Sequence, residues 1–195
     1  VVPKEEPDLS RDFAALELLR RVSTRHAPAA LASALGAESM VLADLSLRHG
    51  LAIEIIVLDT GRLHGDTLGM LARIERRYGQ AFRVVRPEPE AIAEYERRFG
   101  RDAFYGSVEL RKRCCAIRKT EPLERALQGK RAWITGLRRT QSAERGRVPV
   151  EEWDAARGIA KFNPLAEWSE AEVWDYLRKY DVPVNPLYAQ GFRSI

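Results

Sequence analysis

The chain has 195 residues, 45% of them hydrophobic and 31% charged, with a formal net charge of +4 and two cysteines. No apolar run approaches the roughly 20 residues that a bilayer span requires, so composition excludes a membrane-spanning helix and predicts one soluble domain over residues 1–195. Two cysteines and no hydrophobic secretory segment at the start give no sign of a disulfide framework, which makes a reducing cytoplasm the simplest setting, and the positive charge favours an anionic partner.

After a Pro- and acid-rich lead, Ser10 is placed to cap a helix from Arg11 to Thr24, with Phe13, Leu16, Leu19 and Val22 on its apolar side. Ala29 to Leu35 reads as a strand, Gly36 to Ser39 as a turn, and Met40 to Arg48 as a helix. Ala52 to Leu58 is rich in β-branched residues and stops at Asp59-Thr60-Gly61-Arg62, a strand ending in a loop, after which Leu63 to Tyr78 is helical. Ala81 to Val85 is a third strand and Pro87 to Phe99 a crossover helix. Glu109 to Leu127 reads as one helix that Pro122 should kink or break. Arg131 to Thr135 is a fourth strand, Gly136 to Arg147 a polar loop, and Ile159 to Phe162 a further strand. Ser169 caps a last helix, Glu170 to Tyr180, with Glu172 completing a capping box. Alternation of this kind predicts an α/β fold, a mostly parallel sheet with helices on both faces.

The chemistry concentrates in four segments. Cys114 and Cys115 are adjacent and lie within Arg111-Lys112-Arg113-Cys114-Cys115-Ala116-Ile117-Arg118-Lys119. Cations beside a thiol favour the thiolate, the form that binds metal or attacks an electrophile. Neighbouring helix positions diverge by about 100°, so the pair suits two irons of one cluster better than chelation of a single ion. Two small buried hydrophobes, or a vicinal disulfide, stay open beside that reading. Open parallel sheets bind ligands beyond the carboxyl ends of their strands, and three polar segments fall there. Around Ser33, the turn Gly36-Ala37-Glu38-Ser39 could cradle an anion on backbone N–H groups. Leu58 to Arg62 could offer backbone to a base edge, with Thr60 and Arg62 facing a ligand. The loop from Gly136 to Arg145 is rich in arginine, whose guanidinium suits phosphate or sulfate. A plain turn or solvated loop remains open for each. Arginines elsewhere sit beside glutamates, as in Glu94-Tyr95-Glu96-Arg97-Arg98, and without an aromatic-interleaved basic stripe nucleic acid is not an expected partner.

In order, the segments Ser33-to-Ser39, Leu58-Asp59-Thr60-Gly61-Arg62, Arg113-Cys114-Cys115-x-x-Arg118-Lys119-x-x-Pro122-Leu123 and Gly136-x-Arg138-Arg139-x-Gln141-Ser142-x-x-Arg145 form a pattern. It continues through Lys161-Phe162-Asn163-Pro164-Leu165 and Trp168-Ser169 to Pro183-Val184-Asn185-Pro186-Leu187-Tyr188. Along nearly the whole chain this resembles the assimilatory adenylyl-sulfate reductases, the iron-sulfur branch of the phosphoadenylyl-sulfate reductase family. The resemblance implies an adenine nucleotide α-hydrolase-like, PP-loop-related fold that reduces adenylyl sulfate to sulfite and AMP in sulfate assimilation. Thioredoxin or a glutaredoxin-like dithiol protein would be the reductant, and a homo-oligomer stays open. The Cys-Cys element favours adenylyl sulfate over its 3′-phosphorylated relative. It also implies a [4Fe-4S] cluster, for which Cys114 and Cys115 would be two of four ligands. Lys119 and Arg145 would hold the phosphosulfate; Ser33 and Gly36, Ala37, Glu38 and Ser39 would meet the phosphate side; Leu58 and Gly136 would offer backbone to adenine or ribose; Thr60 and Arg62 would be neighbours.

Departures from the pattern matter. In the family a Cys-x-x-Cys supplying the other cluster ligands follows the equivalent of Phe192-Arg193-Ser194-Ile195, and the nucleophilic cysteine lies later; neither is in this sequence. The chain therefore looks cut short and, as written, is expected to bind substrate, hold no intact cluster and not turn over. The first loop carries Leu35 and Ser39 where relatives often have Ser and Asp. Three other readings stay open: a reductase of the 3′-phosphorylated substrate, a PP-loop enzyme that adenylates with ATP, and a non-catalytic nucleotide- or cluster-binding protein.

Overall fold

A computed structural model describes residues 9–80, 82–141, 145–193 and 195, the side chains of residues 9 and 10 excepted. The order is α1 (Leu9–Arg25), β1 (Ala29–Ser33), α2 (Ala37–Arg48), β2 (Ile53–Leu58), α3 (Gly65–Tyr78), β3 (Arg83–Val85) and α4 (Pro89–Phe99). It continues with α5 (Val108–Cys115), a π-helical turn (Ala116–Thr120), α6 (Glu121–Leu127), β4 (Ala132–Ile134), β5 (Glu151–Asp154), β6 (Ile159–Phe162) and α7 (Glu170–Lys179). A 3-10 segment, Pro186–Gln190, closes the series.

The strands form one sheet in the order β3-β2-β1-β4-β6-β5. Every pairing is parallel except β5 with β6. Side chains alternate across the strands: Leu31, Ile55, Val57 and Ile134 join α1, α2, α3 and α7 in the main core, while Ala30, Ile56 and Val85 pack against Ala126 and Leu127 of α6 on the other face. Helices thus cover both faces, as expected from alternation. The chain leaves β1 in opposite directions towards β2 and β4, which puts the switch point of the topology beside β1, at the start of α2.

Buried polar groups pin the helices on the α2 side. Asp44 on α2 is fully buried and accepts hydrogen bonds from Tyr78 of α3 (2.9 Å) and Tyr176 of α7 (2.7 Å). Burial, with the Asp44 carboxylate next to them, pushes both phenols far above their ordinary range, so they remain donors throughout the pH range of a folded protein. At α7 the expected capping box is present: Ser169 accepts the Glu172 N–H at 3.2 Å and Glu172 accepts the Ser169 N–H at 2.6 Å.

Four expectations change. Helix α1 begins at Leu9, ahead of Ser10, whose side chain lies outside the described residues, as does Ala81 before β3. Phe13 is 61% exposed, because the buried arc of α1 runs through Ala15, Leu18, Leu19 and Val22 and leaves position 13 on the opposite side. The helix read from Glu109 to Leu127 is two α-helices joined by a π-helical turn, and Pro122 falls in the first turn of α6, where its missing N–H is tolerated. Strand β5 was not expected. It is an antiparallel edge strand whose Glu151, Glu152 and Asp154 keep the edge charged, and that acidity hides its strand character in the sequence.

Asp44→Ala removes the acceptor of two phenols and should destabilise the chain by roughly 3 kcal/mol in urea unfolding, whereas Tyr176→Phe should cost about 1 kcal/mol. Ser169→Ala should cost about 1 kcal/mol and lower the melting temperature by roughly 2–4 °C.

Candidate functional site

Ser33 ends β1, and the chain must then turn sharply to begin α2. Leu35 adopts the left-handed region at φ 59 although it is a fully buried leucine, a conformation that costs roughly 1–2 kcal/mol and is held here by its surroundings. Two hydroxyls shape the turn from within: Ser33 accepts the Leu35 N–H at 3.1 Å and Ser39 accepts the Ala34 N–H at 3.3 Å. Gly36, the N-cap of α2, has no side chain to offer the helix amides.

After β4, Gly136 meets this turn directly. A Cβ there would lie 2.8 Å from the Cβ of Glu38 and 3.4 Å from the Ser39 nitrogen, so only glycine lets the two segments touch. Beside the contact, buried Arg138 donates to Glu38 (2.8 Å), Thr140 (2.7 Å) and the Trp168 carbonyl (3.4 Å). Gln141 also donates to Glu38, at 3.0 Å, and accepts a hydrogen bond from Arg145. The residues Ser142, Ala143 and Glu144 of this loop lie outside the described residues.

On the other side of β1 stands the cysteine helix. Arg118, in the π-helical turn, is 6% exposed; it donates to the Thr60 carbonyl and to Glu96, both at 2.7 Å. This ties the turn to the loop after β2 and leaves Cys114 buried and Cys115 exposed, both as free thiols. The structure has no vicinal disulfide at this pair, and only one of the two cysteines is buried. A π-helical turn carries one extra residue and recurs at functional sites, where it aims side chains that a regular helix would turn away.

Ser33, Leu58, Thr60, Arg62, Phe104, Cys114, Cys115, Lys119 and Ile195 line one cavity of about 490 Å³, within the usual size of small-molecule sites. Lys119 has no ion-pair partner among the described residues. Arg62 is different: it pairs with Asp102 at 2.9 Å, donates to the Arg101 carbonyl and lies 4.8 Å from the Phe104 ring centroid, so it clamps the turn that walls the cavity. A second, larger cavity of about 1210 Å³ is lined by Ala37, Glu38, Arg138, Arg145, Tyr188 and Arg193, among others. Gly36, Ser39 and Gly136 line neither; they form the ridge between the two. Glu38 is committed to Arg138 and Gln141 rather than open to a ligand.

The expected site residues thus assemble at the carboxyl ends of β1, β2 and β4, divided between two cavities. Sequence reasoning missed Arg118, Arg138, Phe104 and Tyr188. Arg118, Arg138 and Tyr188 carried a signal, each lying inside a quoted motif; Phe104 reaches the site from a segment with no local pattern to mark it. Among the described residues no group of three or more His, Cys, Asp or Glu could hold a metal ion, and no helix is long and apolar enough to cross a membrane. Two thiols opening on one cavity fit two ligand positions of a thiolate-held cluster, not a complete set.

Residues 28–195 match the family described as phosphoadenosine phosphosulfate reductase domain. An adenosine 5′-phosphosulfate reductase from Allochromatium vinosum is 48% identical over 98% of this chain and 77% of its own length. A Candida auris phosphoadenylyl-sulfate reductase, solved as a phosphate complex, superposes with a TM-score of 0.80 at 25% identity, covering all of this chain and 95% of that one. The fold extends further: a Candida glabrata FMN adenylyltransferase superposes at a TM-score of 0.61 with 15% identity, over 98% of this chain and 64% of that one.

Gly136→Ala should push the β4 loop off α2, destabilising the chain by roughly 1–3 kcal/mol in chemical denaturation. Arg118→Lys should recover little of the loss caused by Arg118→Ala, since one ammonium cannot reproduce a guanidinium that bonds Thr60 and Glu96 at once; thermal melts of the two variants compare them.

Proposed function

We propose that this chain, which belongs to the phosphoadenosine phosphosulfate reductase family, is the nucleotide-binding part of an adenylyl-sulfate reductase of sulfate assimilation. The observation that carries the reading is the cavity in which Cys114, Cys115 and Lys119 meet Ser33, Leu58 and Thr60, three segments far apart in sequence. A family match names the chemistry; that convergence supplies a place for it.

In this reading the nucleoside end of adenylyl sulfate rests on the strand ends at Leu58 and near Gly136, and its phosphosulfate faces Lys119 on one side and Arg145 on the other. Among the described residues Lys119 is an exposed cation with no carboxylate to neutralise it, so its charge is available to a dianionic ligand. Reduction needs a thiolate to attack the sulfate sulfur. The S–O bond to the phosphate then breaks, AMP leaves with the electron pair, and the thiolate carries the sulfonate as S-sulfocysteine. A dithiol protein of the thioredoxin or glutaredoxin type releases sulfite by taking up the disulfide. The cations lower the barrier by stabilising charge on the leaving phosphate. Neither cysteine of this chain is assigned the attack: Cys114 is buried, and the two would hold two irons of a [4Fe-4S] cluster. Such a cluster supplies an electron-accepting centre whose potential follows its charge and hydrogen bonding. A cytoplasmic setting fits two free thiols.

Calorimetric titration tests the proposal. The chain should bind adenylyl sulfate and AMP, and should prefer adenylyl sulfate to its 3′-phosphorylated form; absence of binding would sink the reading, and the reverse preference would replace it with the 3′-phosphorylated substrate. Lys119→Ala should weaken adenylyl-sulfate binding about tenfold to a hundredfold with the melting temperature unchanged.

A further inference from the structure

Tyr188 lies in the 3-10 segment Pro186–Gln190, 151 positions from the helix it caps. Because Gly36 has no side chain, the first amide of α2 would be an orphan donor; the Tyr188 hydroxyl accepts the Ala37 N–H at 2.9 Å instead. The oxygen stands 3.2 Å from where a Cβ on Gly36 would be, at the ridge between the two cavities. Its ring is fixed edge-on to Trp174, with centroids 5.0 Å apart and planes at 88°. The segment itself is anchored: buried Asn185 donates to buried Thr67 at 3.0 Å and accepts the Leu187 N–H at 3.1 Å.

A phenol that accepts one hydrogen bond still has a proton to donate. Among the described residues Tyr188 finds no acceptor for it, although the residue lines the larger cavity with Arg138 and Arg145. Accepting from an amide at a helix N-terminus polarises the O–H and makes it a better donor. Arg138 already donates from Nε and Nη1 to Glu38, Thr140 and the Trp168 carbonyl, whereas the Tyr188 O–H has no such commitment among the described residues. Burial raises the Tyr188 phenol above its ordinary range, which keeps the proton in place.

We infer that Tyr188 is a ligand-binding residue: its hydroxyl, oriented by the Ala37 N–H, donates a hydrogen bond to an oxygen of the 5′-phosphate of the bound nucleotide. The inference deepens the proposed function and rests on it. It assigns the end of α2 two consecutive duties, since the helix positions the phenol and the phenol meets the anion.

The test is titration of the chain and of Tyr188→Phe with adenosine, AMP and adenylyl sulfate, with thermal melts alongside. Phenylalanine keeps the packing on Trp174, and the lost cap should lower the melting temperature by no more than about 4 °C. Affinity for AMP and adenylyl sulfate should fall about tenfold, and affinity for adenosine should not change. Tyr188→His, which restores a ring N–H donor, should recover part of the loss. Equal losses for adenosine and AMP, or no loss for either, would overturn the role of Tyr188 while leaving the nucleotide reading intact; failure of the unsubstituted chain to bind any of the three would remove that reading and the inference together.

Discussion

Gly136 touches the first turn of α2, and the site depends on that contact. With a would-be Cβ 2.8 Å from Glu38, no other residue allows the end of β4 to come so close to the end of β1. The contact brings Arg138 within 2.8 Å of Glu38 and sets Gln141 and Arg145 along the rim of the larger cavity. A wider separation would leave an arginine with 6% exposure unpaired and would merge the ridge into an open cleft.

Arg118 performs the matching task on the other side of β1. Helix α5 reaches the strand ends only through a π-helical turn, and buried Arg118 fixes that turn to the Thr60 carbonyl and Glu96. Two nearly buried arginines, Arg118 bonded to Thr60 and Glu96 and Arg138 to Glu38, Thr140 and Trp168, thus carry structure, whereas the exposed Lys119 carries charge to the cavity. The division answers a difficulty posed by a chain with 32 basic residues: many cations are spent on carboxylates or carbonyls, whereas Lys119 lines the cavity with no ion-pair partner among the described residues.

The sheet and most helices were legible because their signals are local. Ile53–Leu58 announces a buried strand by β-branching, and Ser169 with Glu172 announces a helix start. Strand β5 was not legible, since its residues are acidic and its pairing comes from an antiparallel return that no local pattern encodes. The π-helical turn was hidden by a sequence equally good for a plain helix. In the site, Cys114, Cys115 and Lys119 stand out by type and spacing. Arg62 stands out likewise and lines the cavity, where Asp102, the Arg101 carbonyl and Phe104 also hold it. Tyr188 was visible as the last residue of a motif, but its contact with α2 was not, because a hydrogen bond across 151 positions leaves no trace in either neighbourhood.

One ligand site spanning the ends of β1, β2 and β4 is the central claim, and amide chemical-shift mapping with adenylyl sulfate tests it most directly. The account predicts the largest shifts in Ala34 to Ser39, Leu58 to Arg62, Cys115 to Lys119 and Gly136 to Arg138, all saturating together. Shifts confined to another surface, such as the groove between α1 and Pro164, or two groups of residues that saturate at different concentrations, would contradict it.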